Sequence, residues 1–241
     1  LTSLYSFEEA RNLAWLSISF VCRLNRMQYL AAKQDELSSQ EETSLLLILE
    51  DLITGKPLQY VLGETEFYGL TFKVNPAVLI PRPETEELVD WIIKDVQKEG
   101  SIHTSDEFNI LDIGTGSGCI PVTLKKNLSG ANLMAMDISP DALETAIRNS
   151  VLNQTEVRFY LDDILHPGQT ELLNSRLSII VSNPPYVTDA EKSQMHDNVL
   201  SFEPHTALFV EDNDPFIFYK KIAAFADKQL NEKGKVFVEV H

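Results

Sequence analysis

Cysteine is scarce in this sequence. The only two cysteines, Cys22 and Cys119, lie in different predicted segments, which argues against a disulfide-stapled scaffold and suits reduced thiols in the cytoplasm. The five histidines show no metal-ligand spacing, and no Ser/His/Asp arrangement emerges. We therefore predict no metal site and no nucleophilic triad, and neither cysteine is assigned a catalytic role.

Long apolar runs are also missing. No stretch of about 18 apolar residues occurs, and the most apolar front segment, residues 13–21, is interrupted by Ser17 and Ser19. We predict neither a membrane span nor a signal peptide. With 44% hydrophobic residues over 241 positions, the chain can form a core and one or two domains. We expect a cytoplasmic protein that acts as a monomer.

Positive charge is the third shortage. The sequence has 20 Lys and Arg against 36 Asp and Glu, a net charge of −16, and no basic cluster exceeds a pair such as Lys125-Lys126. Enzymes of nucleic acids generally present a basic surface to the phosphates, so a direct nucleic-acid partner is disfavoured. A basic protein partner fits better, although acidity alone also keeps a protein soluble.

The tetrapeptide Asn183-Pro184-Pro185-Tyr186 directly follows an apolar run, residues 177–181. Because prolines lack an N–H, this segment cannot continue an interior sheet ladder. Asn183 Oδ1 and the Pro184 carbonyl are then candidate acceptors for both N–H groups of an amide or amine, which favours a pyramidal nitrogen. Tyr186 can face the charge that forms there. We predict methyl transfer to nitrogen; the alternative is a strand-ending turn.

A second motif, residues 110–120, is typical of a buried strand, a glycine loop and a helix start. Its glycines allow positive φ and close approach to a ligand, and the helix N-terminus offers N–H groups to an anion such as a methionine carboxylate. The dinucleotide fingerprint needs its third glycine where Cys119 stands, so S-adenosylmethionine fits better than a nicotinamide. The predicted loop contacts are Gly114, Thr115, Gly116, Ser117 and Gly118.

Acidic residues follow the next two predicted strands. Asp137 directly follows the apolar run of residues 133–136. This is about the position at which a carboxylate reaches the ribose hydroxyls in such folds. Asp163, with Ile164, follows residues 157–161 and is predicted to flank adenine. Each aspartate alone is better explained as a helix cap or turn residue, and only the features taken together, in register, predict the site.

Periodicity predicts an α/β fold with a helical front segment. Residues 6–32 and 41–55 carry apolar positions at helical spacing, and residues 64–74 predict a short hairpin. The following alternation of strands and helices predicts a parallel, doubly wound Rossmann-like sheet. The predicted helices there are 88–96, 118–127, 140–152 and 215–230, and the predicted strands lie near 110, 133, 157, 179 and 236.

Further motifs resemble the protein-(glutamine-N5) methyltransferases that modify peptide chain release factors, the PrmC/HemK family. They are Pro57 to Gly63, Phe67-Tyr68-Gly69, Val78 to Glu86, Phe202-Glu203-Pro204 and Ala207-Leu208. The resemblance covers nearly the whole chain, and the stretch from Ile80 to Glu86 is its most specific part.

The resemblance implies a class I methyltransferase that uses S-adenosyl-L-methionine and releases S-adenosyl-L-homocysteine. Its implied substrate is the glutamine side chain in the Gly-Gly-Gln loop of a release factor. It matches residues 114–118, Asp137, Ile164 and Asn183 to cofactor contacts, and Asn183 to Tyr186 to the glutamine pocket. The expected domains are 1–62, helical and either substrate-selecting or a stabilising cap; 63–82, a hairpin linker; and 83–241, the methyltransferase domain.

Two departures from the family pattern stand out. Phe202 occupies a position where the family usually has Tyr, which removes a hydroxyl but keeps the ring. The sequence starts at Leu1 without Met and stops at His241, where the family continues through a helix and a hairpin, so we expect a missing C-terminal part. Two rival functions stay open: a nucleic-acid adenine or cytosine amino-group methyltransferase, and a non-catalytic adaptor.

Overall fold

The computed structural model describes residues 4–31, 36–99, 107–168 and 176–240. The chain divides into two compact units. One comprises Leu1–Gly63 with His196–Phe202, and the other comprises Glu64–Met195 with Glu203–His241. No helix within the described ranges combines the length and the apolar character that a membrane crossing needs.

The smaller unit is helical. Its helices are α1 (Phe7–Cys22), α2 (Arg26–Ala31), α3 (Ser39–Leu52), α4 (Leu58–Leu62) and, later in the chain, α8 (Asp197–Phe202). Local capping explains where two of them begin: Ser6 caps α1, and Ser38 forms a reciprocal capping box with Glu41 at α3. The core consists of Ile48, Leu52 and Leu58 with partly buried neighbours from α1 and α4. The predicted helical periodicity is therefore confirmed.

The larger unit contains a five-stranded parallel sheet. Its strands are β3 (Asn109–Ile113), β4 (Asn132–Asp137), β5 (Val157–Leu161), β6 (Leu177–Ser182) and β9 (Leu230–Val238), in the order β5-β4-β3-β6-β9. The chain moves outward from β3 to β5 and then returns to the other side of β3. The order reverses between β3 and β6, which is where doubly wound sheets bind ligands.

Helices and a hairpin cover the sheet. They are α5 (Pro83–Glu99), α6 (Cys119–Asn127), α7 (Pro140–Leu152), α9 (Ile217–Gln229), and the antiparallel pair β1 (Glu64–Phe67) and β2 (Leu70–Lys73). Side chains of the strands alternate between two cores, as the pleat requires. Ile110 joins α5, α6 and the hairpin on one face, whereas Leu111 joins α9 on the other.

The hairpin, expected from the sequence as a linker, is grouped with the larger unit. Phe67 and Phe72 lie in its core with their ring centroids 5.9 Å apart in an edge-to-face arrangement. Helix α5 also differs from the prediction, because it begins at Pro83 rather than Leu88. Proline fits the first turn of a helix, where its missing N–H has no intrahelical partner.

A short parallel pair, β7 (Val187–Thr188) and β8 (Phe209–Val210), was not predicted. Short 3₁₀ helices also occur at Asp189–Gln194 and His205–Ala207. Such short elements have no periodicity to reveal them in a sequence. They follow the Asn183 segment, and the second 3₁₀ helix and β8 contribute Thr206, Ala207 and Phe209 to the cavity described next.

Candidate active site

A cavity of about 350 Å³ lies at the carboxyl ends of the parallel strands. This volume suits a small ligand. Four segments at the ends of strands line it: residues 113–117 at the end of β3, 136–139 at the end of β4, 162–165 after β5 and 182–185 at the end of β6. Of the residues predicted for the site, Gly118 and Tyr186 do not belong to the lining.

The two principal motifs begin side by side. Ile113, the last residue of β3, pairs in register with Ser182, the last residue of β6. The Ser182 hydroxyl donates a 2.7 Å hydrogen bond to the Ile113 carbonyl and locks the two strand ends together. Gly114 and Asn183 therefore leave the sheet from adjacent positions.

The glycine loop has the predicted backbone: Gly114, Gly116 and Gly118 all have positive φ. Gly118 shows the requirement most clearly, because its φ is +78° and a Cβ there would lie 3.0 Å from the Cβ of Ala146 in α7. The Gly114 and Thr115 N–H groups donate to the Met136 carbonyl at 2.9 and 3.0 Å. These bonds hold the loop against the end of β4.

Asp137 is the last residue of β4 and lines the cavity. Its carboxylate accepts hydrogen bonds from the Gly116 N–H at 2.8 Å and the Ser139 N–H at 2.9 Å. Burial raises its pKa, and these backbone donors partly offset the rise. Each oxygen keeps lone pairs for a further donor such as a hydroxyl.

Asp163 and Ile164 also line the cavity. Asp163 accepts a 2.8 Å hydrogen bond from the Leu165 N–H and lies 3.1 Å from Nδ1 of His166, so its carboxylate shapes the turn that carries it. Ile164 is buried and packs with the methionines of β4. It offers an apolar surface to a flat ring.

Asn183, Pro184 and Pro185 follow β6, which ends at Ser182 as the prolines predicted. The Asn183 Nδ2 group donates to the Thr85 hydroxyl at 3.2 Å. Tyr186 is half-buried, and its pKa is raised by burial and then by the negative charge of Glu239. Tyr186 is not part of the cavity lining.

Asp112, which the sequence reasoning passed over, directly precedes the lining residue Ile113. It is fully buried in β3, and neither carboxylate oxygen has a hydrogen-bond partner of good geometry among the described residues. Burial raises the pKa of Asp112 to about 7; the nearby Thr115 hydroxyl lowers it and Asp137 adds to the rise. A ligand ammonium group would satisfy such a carboxylate. The signal was a lone charge inside the apolar run from Ile110 to Ile113.

The stretch from Ile80 to Glu86 forms another wall of the cavity, through Pro81, Arg82 and Thr85. The Arg82 guanidinium forms a 2.6 Å ion pair with buried Glu203, which also accepts a 3.2 Å hydrogen bond from the Ile80 N–H. In the structure, Glu86 accepts the Tyr68 N–H at 2.7 Å and ties α5 to the hairpin.

The fold and the cavity define a Rossmann-like class I methyltransferase. The family described as Methyltransferase small domain matches residues 95–203, and the family described as PrmC N-terminal domain matches residues 2–63. The chain belongs to the release factor glutamine methyltransferase family, as its relatives show.

Several curated relatives carry the name release factor glutamine methyltransferase, and three of them illustrate the similarity. The protein from Flavobacterium psychrophilum is 46% identical over all 241 residues, which span 82% of its own length. The relative from Bacteroides thetaiotaomicron is 40% identical over 241 residues and 83% of its length. The Lactococcus lactis protein is 38% identical over 217 residues, or 90% of this chain and 76% of that protein.

Proposed function

We propose that this protein transfers a methyl group from S-adenosyl-L-methionine to the side-chain nitrogen of the glutamine in the Gly-Gly-Gln loop of peptide chain release factors. One observation carries the proposal: the glycine loop and the Asn183 segment leave the sheet from the paired residues Ile113 and Ser182 and line one cavity. A methyl donor and an acceptor amide held by these two segments are neighbours.

The residues of the cavity fit the proposed cofactor. The glycine loop with the start of α6 would hold the carboxylate, and Asp112, buried directly before the lining residue Ile113, would suit the ammonium group. Asp137 would suit the ribose hydroxyls, and Asp163 and Ile164 would flank the adenine. When bound, S-adenosylmethionine supplies an electrophilic methyl group on sulfur. We also propose Asn183 as a contact of both cofactor and glutamine.

The Asn183 segment activates the acceptor nitrogen. An amide lone pair is delocalised, so the nitrogen is a weak nucleophile until acceptors hold both of its N–H groups. Asn183 Oδ1 and the Pro184 carbonyl fill this role, and Pro185 shapes the pocket for the planar amide. Tyr186 adds a ring near the nitrogen as positive charge develops, a contribution of about 0.5 to 2 kcal/mol. The proton leaves to water after attack.

The proposed partner is a release factor that meets the enzyme in the cytoplasm, with the enzyme acting as a monomer. We assign substrate selection to the helical segment 1–62, and we propose no direct contact with nucleic acid or membrane. The net charge of −16 supports a cationic protein surface as the target, since opposite charges accelerate encounter.

The rival function is methylation of an amino group on adenine or cytosine. It would use the same acceptors, because an aromatic amine has the same delocalised lone pair. The chain has 36 acidic and only 20 basic residues. This balance favours the protein substrate, because a nucleic acid would require a basic surface for its phosphates.

The deciding experiment uses isotopically labelled S-adenosylmethionine with purified release factor in one arm and RNA or DNA in the other. We expect label on one peptide, and tandem mass spectrometry to place it on the glutamine nitrogen. A release factor with asparagine in place of that glutamine is the control and should remain unlabelled. Label on nucleic acid but not on the factor would overturn the proposal in favour of the rival.

A further inference from the structure

An asparagine side chain presents an oxygen at one end of its amide and an NH₂ at the other. Asn183 can accept from a substrate N–H only if the oxygen end faces the cavity; the opposite orientation brings two NH₂ groups together. The two orientations have almost the same shape, so packing alone discriminates weakly between them. The neighbouring hydrogen bonds must determine which end faces the cavity.

Thr85 provides the first of these bonds. It lies in the first turn of α5, is 2% exposed, and accepts a 3.2 Å hydrogen bond from Asn183 Nδ2. The Thr85 hydroxyl in turn donates a 2.7 Å hydrogen bond to Glu239 Oε2. A hydroxyl has only one proton, and an ionised carboxylate only accepts. Because Thr85 gives its proton to Glu239, it can only accept from Asn183.

The backbone of Glu239 is held in place by hydrogen bonds that do not involve Thr85 or the Asn183 side chain. Its N–H donates to the Ser182 carbonyl at 3.0 Å, directly before Asn183, and its carbonyl accepts the Tyr219 hydroxyl at 3.1 Å. The carboxylate is therefore held beside the end of β6. Burial raises the pKa of Glu239, whereas hydrogen bonds from Thr85 and from Asn183 itself favour its ionised form. The ionised carboxylate sets the direction of these side-chain bonds, because it can only accept.

We propose that Thr85 and Glu239 are positioning residues that fix the amide of Asn183 with Nδ2 turned inward and Oδ1 turned toward the acceptor nitrogen. The kinetic consequence rests on the proposed function, whereas the orientation itself does not. Thr85 and Glu239 act through Asn183 and need not touch the substrate.

The first test reads the orientation without any activity. In protein labelled with ¹⁵N-asparagine, the side-chain NH₂ signal of Asn183 is the one lost in Asn183→Ala. We expect Thr85→Val to shift that signal, because it removes the acceptor while keeping the shape, and Thr85→Ser to leave it close to its original position. Thr123→Val is the matched control: this threonine is fully buried in α6, away from the cavity lining.

The second test is a double-mutant cycle on single-turnover methyl transfer. Removing one hydrogen bond to a group that acts in the transition state reduces the rate by about tenfold. We expect Thr85→Val to lose about that factor in rate, with little change in cofactor Kd. Thr85→Ser should recover the activity. In the Asn183→Ala background, Thr85→Val should have no further effect.

A second variant guards against a folding defect in Thr85→Val. Glu239→Met removes the carboxylate that accepts the Thr85 proton. The Thr85 hydroxyl is then free to donate to Asn183 Oδ1, so the Asn183 NH₂ signal should shift in this variant too. An Asn183 NH₂ signal that is unchanged in both variants would overturn the proposal. Rate losses that simply multiply in the Asn183→Ala/Thr85→Val double mutant would overturn it as well. If wild type methylates no release factor, the proposed function fails, but the NMR signal still decides the orientation.

Discussion

The buried carboxylate of Asp112 makes the stability of the cofactor-free protein depend on pH. Burial raises the pKa of Asp112 from 3.8 to about 7. The folded state therefore holds this proton more tightly than the unfolded chain. The stability that Asp112 contributes is fully present below about pH 4 and is lost as the pH rises to about 7.

The size of the effect follows from that shift. A change of about three pKa units corresponds to roughly 4 kcal/mol, because each unit is worth about 1.4 kcal/mol. At pH 8 the ionised Asp112 carries this whole penalty, and at pH 5 it carries a little under about 2 kcal/mol. Asp112→Asn has no charge to bury at either pH. The free energy of unfolding of the variant minus that of wild type should therefore be about 2 to 3 kcal/mol larger at pH 8 than at pH 5.

The assay is urea unfolding of cofactor-free wild type and Asp112→Asn at both pH values, with thermal melts in parallel. A change of about 2 to 3 kcal/mol in the stability difference between the two proteins corresponds to about 5 to 10 °C in melting temperature for a chain of this length. The comparison between pH values cancels the separate effect of burying an amide. A difference between the proteins that does not change with pH would refute the reasoning. Cofactor affinity should fall by about 10- to 100-fold in the same variant at pH 8, since a charged hydrogen bond is lost.

Two further substitutions test the cofactor cradle. Asp137→Ala removes the acceptor of the Gly116 and Ser139 N–H groups; calorimetry should show cofactor affinity lowered by about tenfold or more, and an unchanged Kd would contradict the ribose role. Gly118→Ala places a methyl group 3.0 Å from the Cβ of Ala146 at a backbone φ of +78°; we expect the free energy of unfolding to fall by about 1 to 3 kcal/mol, and a stability equal to wild type would show that α7 yields easily.

The sequence predicts the long regular elements well because their signals are local. Helix α7 runs from Pro140 to Leu152 as predicted, since Ser139 caps it, Pro140 fits its first turn, and its apolar residues recur at helical spacing. Helix α9 begins at Ile217, two residues after its predicted start. Helix ends carry weaker signals than helix interiors.

Parts of the site have no local signal. Thr85 and Glu239 are 154 positions apart, and Thr85 is 98 positions from Asn183, so only the folded chain brings the three together. Asp112 was visible as a charge in an apolar strand, but its isolation from hydrogen-bond donors is a property of the fold. Tyr186 is the last residue of the tetrapeptide motif, yet its position relative to the cavity depends on how the chain turns after the prolines.

The acceptor role of Asn183 is the central claim, and one measurement tests it most directly: single-turnover methyl transfer to a release factor by Asn183→Ala, with cofactor Kd measured on the same protein. We predict a rate lower by about 100-fold with a much smaller change in the cofactor Kd, because one preorganised polar group typically contributes that much to a transition state. Transfer at close to the wild-type rate would contradict the account.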